Sequence, residues 1–248
     1  MENGSDRQLL RLRRRLWRCF HEACARYALL ADGDHVLVGL SGGKDSLALV
    51  ELLGRQARIY VPRIRVTAVH VRVEGRNYRS DLSYLQSFCR EAGVPLLVRD
   101  TAIRGEERKD PCFLCSWYRR KALFEVAREL GCNKIAFGHH RDDVLETLLL
   151  NLVYEGRFST IEPSLPLDKM PIALIRPLWC TDEDDLCRYA LLAGYRRQEV
   201  LCPFERHSRR HDMTALLRQL QMLNPEVRSS LLHALTRDTV RLADGQSE

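Results

Sequence analysis

A short apolar run that ends in a glycine pair and restarts as a helix constrains this chain more than any other feature. Val36-Leu37-Val38-Gly39-Leu40 is too short and too β-branched for a helix. It leads directly into Ser41-Gly42-Gly43-Lys44-Asp45-Ser46, after which residues 47–53 read as helical. A buried strand, a tight glycine loop and a helix N-terminus in that order build an anion site. Glycine amides can close on phosphate oxygens with no Cβ in the way, and the helix start adds partial positive charge. Ser41 and Ser46 contribute hydroxyls and Lys44 a point charge. Asp45, an acid at an anion site, fits a bridging Mg2+ or a helix cap. The spacing matches neither the Walker A loop nor the dinucleotide fingerprint.

Strand and helix patterns alternate on both sides of this loop. Leu9, Leu12, Leu16, Phe20, Ala23 and Tyr27 recur at three- and four-residue steps, predicting an amphipathic helix over 6–30. Strands are expected at 35–40, 64–71, 95–98 and 134–137, and helices at 80–92, 116–130 and 142–154. Such alternation predicts the α/β class: a doubly wound parallel sheet with helices on both faces and ligands at the carboxyl ends of its strands. Beyond residue 155, Pro163, Pro166, Pro171 and Pro177 interrupt the pattern, leaving a strand at 172–175 and helices near 182–193, 211–222 and 225–240. The expected organisation is a basic amphipathic helix in 1–32, a nucleotide-binding α/β domain in 33–180 with a cysteine-bearing insertion, and a small helical region in 181–248.

The 248 residues suffice for one large domain with an appendage, and 45% apolar with 29% charged residues exclude a disordered chain. No apolar run approaches the ~18 residues of a membrane span, and the polar N-terminus lacks a signal-peptide core, so the expectation is a cytoplasmic protein without membrane contact. The net charge is +6, and all but five of the 39 cations are arginine. Arg7, Arg11, Arg13, Arg14, Arg15 and Arg18 crowd the first helix. Arg196, Arg197, Arg206, Arg209 and Arg210, with His207 and His211, crowd a second segment. These clusters fit polyanion binding or solvated helix faces.

Gly138-His139-His140-Arg141-Asp142-Asp143 follows another expected strand and opens a helix. The paired carboxylates can hold Mg2+ or cap the helix. Nine cysteines, an odd number, point to free thiols or a metal site rather than a disulfide framework. Cys112 and Cys115 form a CxxC pair in an expected loop before a helix, and a shared metal needs a further ligand. Cys202, in a polar stretch, is the best candidate. Cys19, Cys24, Cys89 and Cys187 fall on helix patterns and read as core residues, with Cys132 and Cys180 placed beside them.

SGGKDS after an apolar strand resembles the PP-loop of the N-type ATP pyrophosphatases, and GHHRDD resembles that superfamily's second signature. With PCFLCSWYRR between them and a lone cysteine downstream, the chain is similar to the tRNA 2-thiocytidine biosynthesis family from the first helix to about residue 222. The resemblance implies ATP held by Ser41, Gly42, Gly43, Lys44, Asp45, Ser46, Gly138 and His139, with Mg2+, and catalysis by Lys44, Asp45, Asp142 and Asp143. It implies a [4Fe-4S] cluster on Cys112, Cys115 and Cys202, which leaves one iron without a protein ligand. Here Cys202 is followed by Pro203, Phe204 and Glu205 rather than by a second CxxC. The implied reaction adenylates the 2-carbonyl of an anticodon-loop cytidine (position 32) and replaces its oxygen with sulfur. tRNA is then a partner, as is a sulfur donor (a cysteine desulfurase or sulfide), and a homodimer stays open. The alternatives are a uridine thiolase, a PP-loop protein with structural zinc that includes His207 or His211, and an ATP-sensing module without thiolation activity.

Overall fold

The computed structural model describes residues 4–59, 61–74, 78–79, 81–103, 111–196, 199–200 and 209–244. Its elements run α1 (Gly4–Arg26), β1 (His35–Gly39), α2 (Lys44–Ala57), β2 (Arg65–Val73), β3 (Tyr78–Arg79), α3 (Leu82–Ala92), β4 (Leu96–Thr101), α4 (Pro111–Glu129), β5 (Lys134–Ala136), α5 (Arg141–Glu155), β6 (Ser164–Pro166), β7 (Ala173–Ile175), α6 (Glu183–Leu192), β8 (Glu199–Val200), α7 (Arg209–Leu223) and α8 (Val227–Asp244). They fall into two compact units. One comprises residues 1–140 and 162–205; the other comprises 141–161 and 206–248.

The first unit is built on a sheet of order β4-β2-β1-β5-β7-β6, parallel throughout except for β6. Successive side chains of β1 point to opposite faces. Val36 and Val38 join the apolar cluster that holds α1, α2, α3 and α6 residues, whereas Leu37 joins a second cluster with Ala122, Val126 and Ala127 of α4. Both faces of the sheet are therefore covered, as an all-apolar strand demands. β1 pairs with β2 on one side and β5 on the other, so the chain order reverses between β1 and β5. The loops that leave these two strands lie at the topological switch point, where doubly wound sheets bind ligands. At the opposite end Asp34 locks the same pair of strands: it accepts from Asn133 Nδ2 at 2.7 Å and lies 2.7 Å from Lys134 Nζ.

Three local expectations change. α4 starts at Pro111, not near 116, because proline's missing N–H and fixed φ suit the first helical position. The CxxC pair consequently lies within the helix rather than in a preceding loop. β6 is an antiparallel edge strand ending at Pro166, a position where a missing amide is tolerated. Cys187 is exposed on α6 instead of buried in a core.

α1 is not a free basic rod. Leu12, Leu16, Phe20 and Ala23 bury its apolar stripe. Arg13 reaches the Tyr189 hydroxyl (3.3 Å) and Glu51 (3.2 Å), and Arg15 pairs with Asp182 (3.2 Å) and the buried Asp185 (2.6 Å). Arg11, Arg14 and Arg18 stay exposed. We expect Arg15→Ala to cost on the order of 1–2 kcal/mol, because a buried carboxylate loses its partner. A thermal midpoint lowered by several degrees with retention on a heparin column nearly unchanged is the expected pattern. Arg14→Glu should do the reverse, weakening retention on heparin across a salt gradient at constant midpoint.

In the second unit α5 packs on α7 and α8. Arg228 of α8 pairs with the buried Asp142, and Thr214 Oγ1 of α7 donates to Glu146 at 2.6 Å.

Candidate ATP-binding active site

The loop after β1 has the geometry of an anion cradle. Gly42 is buried at φ +85°, a conformation that side-chain-bearing residues rarely adopt, and it turns the chain so that Gly43 can cap α2 in extended backbone. In this structure hydroxyls occupy the loop amides. Gly42 N donates to Ser46 Oγ (3.1 Å) and Gly43 N to Ser41 Oγ (3.3 Å), while Ser46 Oγ donates to the Gly43 carbonyl (2.9 Å). The loop's entry is fixed from β2, where the buried His70 donates from Nδ1 to the Leu40 carbonyl at 2.7 Å. Burial lowers the pKa of His70, which keeps it a neutral hydrogen-bonding group.

Lys44 Nζ lies 3.1 Å from Asp45 Oδ2 and 3.1 Å from Glu183 Oε1, the first residue of α6. Burial by itself lowers the pKa of this ammonium, but the two carboxylates outweigh that and raise it above its usual value. Buried His140 places Nε2 4.0 Å from Asp45 Oδ1 and 3.9 Å from Glu183 Oε1. The second signature thus reaches the phosphate loop inside the first unit. Gly138 makes the approach possible: a Cβ there would come within 3.1–3.2 Å of the Asp45 carbonyl and the Ser46 amide. His139 is half-buried, its ring 5.8 Å from that of Phe137.

Asp142 and Asp143 open α5 in the second unit. Asp142 is 2% exposed and neutralised by Arg228, and the Asp143 carbonyl accepts from Thr147 Oγ1 at 2.7 Å. Cys112 and Cys115 sit one turn apart at the start of α4, and Cys115 is half-buried. The side chain of Cys112 and the whole of Cys202 lie outside the described residues. Among the described residues no three His, Cys, Asp or Glu side chains converge on a metal position, and no helix is long and apolar enough to cross a membrane.

Residues 11–199 match the family model of the PP-loop domain. The tRNA-cytidine(32) 2-sulfurtransferase of Anaeromyxobacter sp. (strain K) is 37% identical over 235 residues, spanning 92% of this chain and 80% of that protein. The protein of the same name from Sorangium cellulosum is 37% identical over 233 residues, spanning 91% and 82%. This chain belongs to the PP-loop family of the tRNA-cytidine(32) 2-sulfurtransferases. Among solved structures, the U34-tRNA thiolase NcsA from Methanococcus maripaludis, with its [4Fe-4S] cluster, is similar at a TM-score of 0.76 and 26% identity, covering 91% of this chain and 79% of that one.

In this sulfurtransferase-family chain, Ser41, Gly42, Gly43, Lys44, Asp45, Ser46, Gly138 and His139 all belong to the first unit, in the two loops at the switch point. Glu183 and His140 were missed as partners of Lys44 and Asp45. Glu183 looks in sequence like an ordinary first-turn acid of a helix, and His140 is one residue beyond the glycine-histidine pair already singled out. Neither has a local signal for its tertiary neighbours.

Proposed function

We propose that this chain is an ATP-dependent tRNA-cytidine 2-sulfurtransferase, on the observation that Lys44 and the glycine-loop amides converge at the switch point of a PP-loop sheet. Those groups suit ATP phosphates. ATP phosphates would compete with the hydroxyls of Ser41 and Ser46 for the loop amides, and with Asp45 and Glu183 for Lys44. Asp45 then has an oxygen for Mg2+, which supplies charge neutralisation on the departing pyrophosphate. Asp142 holds α8 through Arg228, and Asp143 follows it in the second signature as the candidate carboxylate for Mg2+.

The chemistry follows from the substrate. Oxygen on C2 of cytosine is a poor leaving group. Attack by that oxygen on the α-phosphorus of ATP forms an O–P bond, breaks the bond to pyrophosphate and converts the oxygen into part of an AMP leaving group. Attack by sulfide on C2 then forms the C–S bond and expels AMP, with no net redox change. The target base must leave its stack to reach the site. Two thiols one turn apart at the start of α4 are the soft donors that an iron–sulfur cluster requires, with Cys202 as third ligand. Bound there, the cluster supplies iron for handling sulfur. The sulfur donor, a cysteine desulfurase or free sulfide, and a homodimeric state belong to this proposal.

The test combines reconstituted protein, Mg-ATP, sulfide and a tRNA transcript under anaerobic conditions, followed by nucleoside mass spectrometry. 2-Thiocytidine with one pyrophosphate and one AMP per modified base is expected; sulfur on uridine alone would make the chain a uridine thiolase. A further expectation concerns Glu183. In Glu183→Gln, one negative charge beside the phosphate site disappears, so metal-free ATP binding should tighten about 5-fold, the ~1 kcal/mol of one partly exposed charge pair. Calorimetric titration in EDTA measures this; unchanged binding would leave Glu183 as a helix-terminus acid only.

A further inference from the structure

We propose that the cleft bounded by α1, α2, α3 and the end of α6 is a second RNA-contacting site, holding a phosphate-and-base segment of the substrate away from the phosphate loop. The inference rests on tRNA being the substrate. The cleft encloses about 870 Å3, ample for one or two nucleotides, and lies wholly within the first unit. Arg13 of α1, Arg55 and Arg58 of α2 and Arg196 line it together with the rings of Tyr84 and Phe88 of α3.

The charge balance favours an anion. Of the two acids in the lining, Glu51 is already satisfied: it accepts from the hydroxyls of Tyr189 (2.6 Å) and Tyr195 (2.7 Å) and from Arg13 (3.2 Å). Glu91 remains against Arg55, Arg58 and Arg196, and Arg196 also faces Asp81 at the start of α3, which still leaves the cations in excess by one. Arg58 Nη2 bonds the Glu91 backbone carbonyl at 2.9 Å and keeps its charge uncompensated there. The guanidinium carbon of Arg55 sits over Trp17, 4.1 Å from the ring centroid, and that of Arg196 over Tyr84 at 5.4 Å. A cation resting on an aromatic face, beside further rings, presents both halves of nucleotide recognition, a guanidinium fork for phosphate and a π-surface for the base. An acidic peptide would use the forks but leave the rings without a planar partner.

Placement supports the same occupant. Arg55 is three turns along α2 from Lys44, about 16 Å at 1.5 Å per residue, a separation that a folded RNA bridges while its target base sits at the switch point. Arg196 also opens the second arginine-rich segment, Arg197, Arg206, Arg209 and Arg210, so the cleft is continuous in sequence with the chain's other large positive cluster.

The experiment compares the full-length protein with its Arg55→Glu/Arg196→Glu and Arg55→Lys/Arg196→Lys variants. Binding of labelled tRNA and of a single-stranded 15-mer is followed across a salt series, with ATP binding and thermal midpoint as controls. The reversal should weaken RNA binding at least 10-fold at low salt and flatten the log–log salt slope by one to two units. The lysine pair should keep most of the slope and lose a few-fold in affinity, since charge survives and the stacked fork does not. RNA binding unchanged in both variants would overturn the proposal while leaving thiolation by the wild type intact. So would an effect on free nucleotide alone. If the reversal lowers the midpoint as well, the lysine pair decides: unchanged affinity and slope there overturn the cleft. Failure of the wild type to thiolate any tRNA would instead strike the functional reading itself.

Discussion

Lys44→Ala should lower pyrophosphate release in the presence of tRNA by on the order of 10²–10³-fold, the usual cost of removing one preorganised donor to developing negative charge. The expected loss is catalytic rather than structural. Lys44 is the first residue of α2, where alanine is a good helix former, and its side chain is about a quarter exposed. Its removal leaves Asp45 and Glu183 without their shared cation, a repulsion between part-exposed carboxylates that solvent moderates, so the thermal midpoint should fall by no more than a few degrees. Asp45→Asn should show a different signature: weaker dependence of turnover on Mg2+ concentration, with the loop otherwise intact. Pyrophosphate assays at saturating tRNA, paired with melting curves, separate these outcomes. Near wild-type release from Lys44→Ala would remove the phosphate loop from the mechanism.

The legible parts of this molecule are those whose cause is local. The β1–loop–α2 unit could be read from sequence because an apolar pentapeptide, a glycine pair and a helix start are neighbours in the chain and admit few other arrangements. The switch point followed from alternation, since parallel strands need crossover helices. Side-chain partnerships across long sequence separations were not legible. Arg13, Arg14 and Arg15 look alike in sequence, yet two of them turn to Glu51, Tyr189, Asp182 and Asp185 while Arg14 stays exposed. Glu183 reaches Lys44 only because α6 packs against α2. The position of Cys187 is legible from its neighbours. Leu186, Tyr189 and Ala190 are spaced i, i+3 and i+4 and form the buried face of α6, which rotates the intervening cysteine about 100° away from the core.

Serine substitution should separate the proposed cluster ligands from the chain's other cysteines. Cys112→Ser, Cys115→Ser and Cys202→Ser are each expected to remove most of the iron, because the proposed three-thiolate anchor would be left with two ligands. The remaining thiols divide by environment. Burial pushes Cys24 up to about 12 and both Cys89 and Cys132 up to about 11, so each is held as a neutral thiol, the form that does not bind iron. Cys89 and Cys132 belong to the two apolar clusters of the sheet, and their replacement should cost about 1 kcal/mol of packing with full iron content. Cys187 is exposed on α6 and its loss should change neither iron nor stability. Iron and acid-labile sulfide analysis of anaerobically reconstituted variants reads the result directly, and colourless protein with stoichiometric zinc would favour a structural site instead. A fourth cysteine whose serine variant also loses iron would close the coordination shell with protein ligands. Sulfur would then have to arrive on a persulfide carrier, and a desulfurase partner, rather than free sulfide, would become obligatory for turnover.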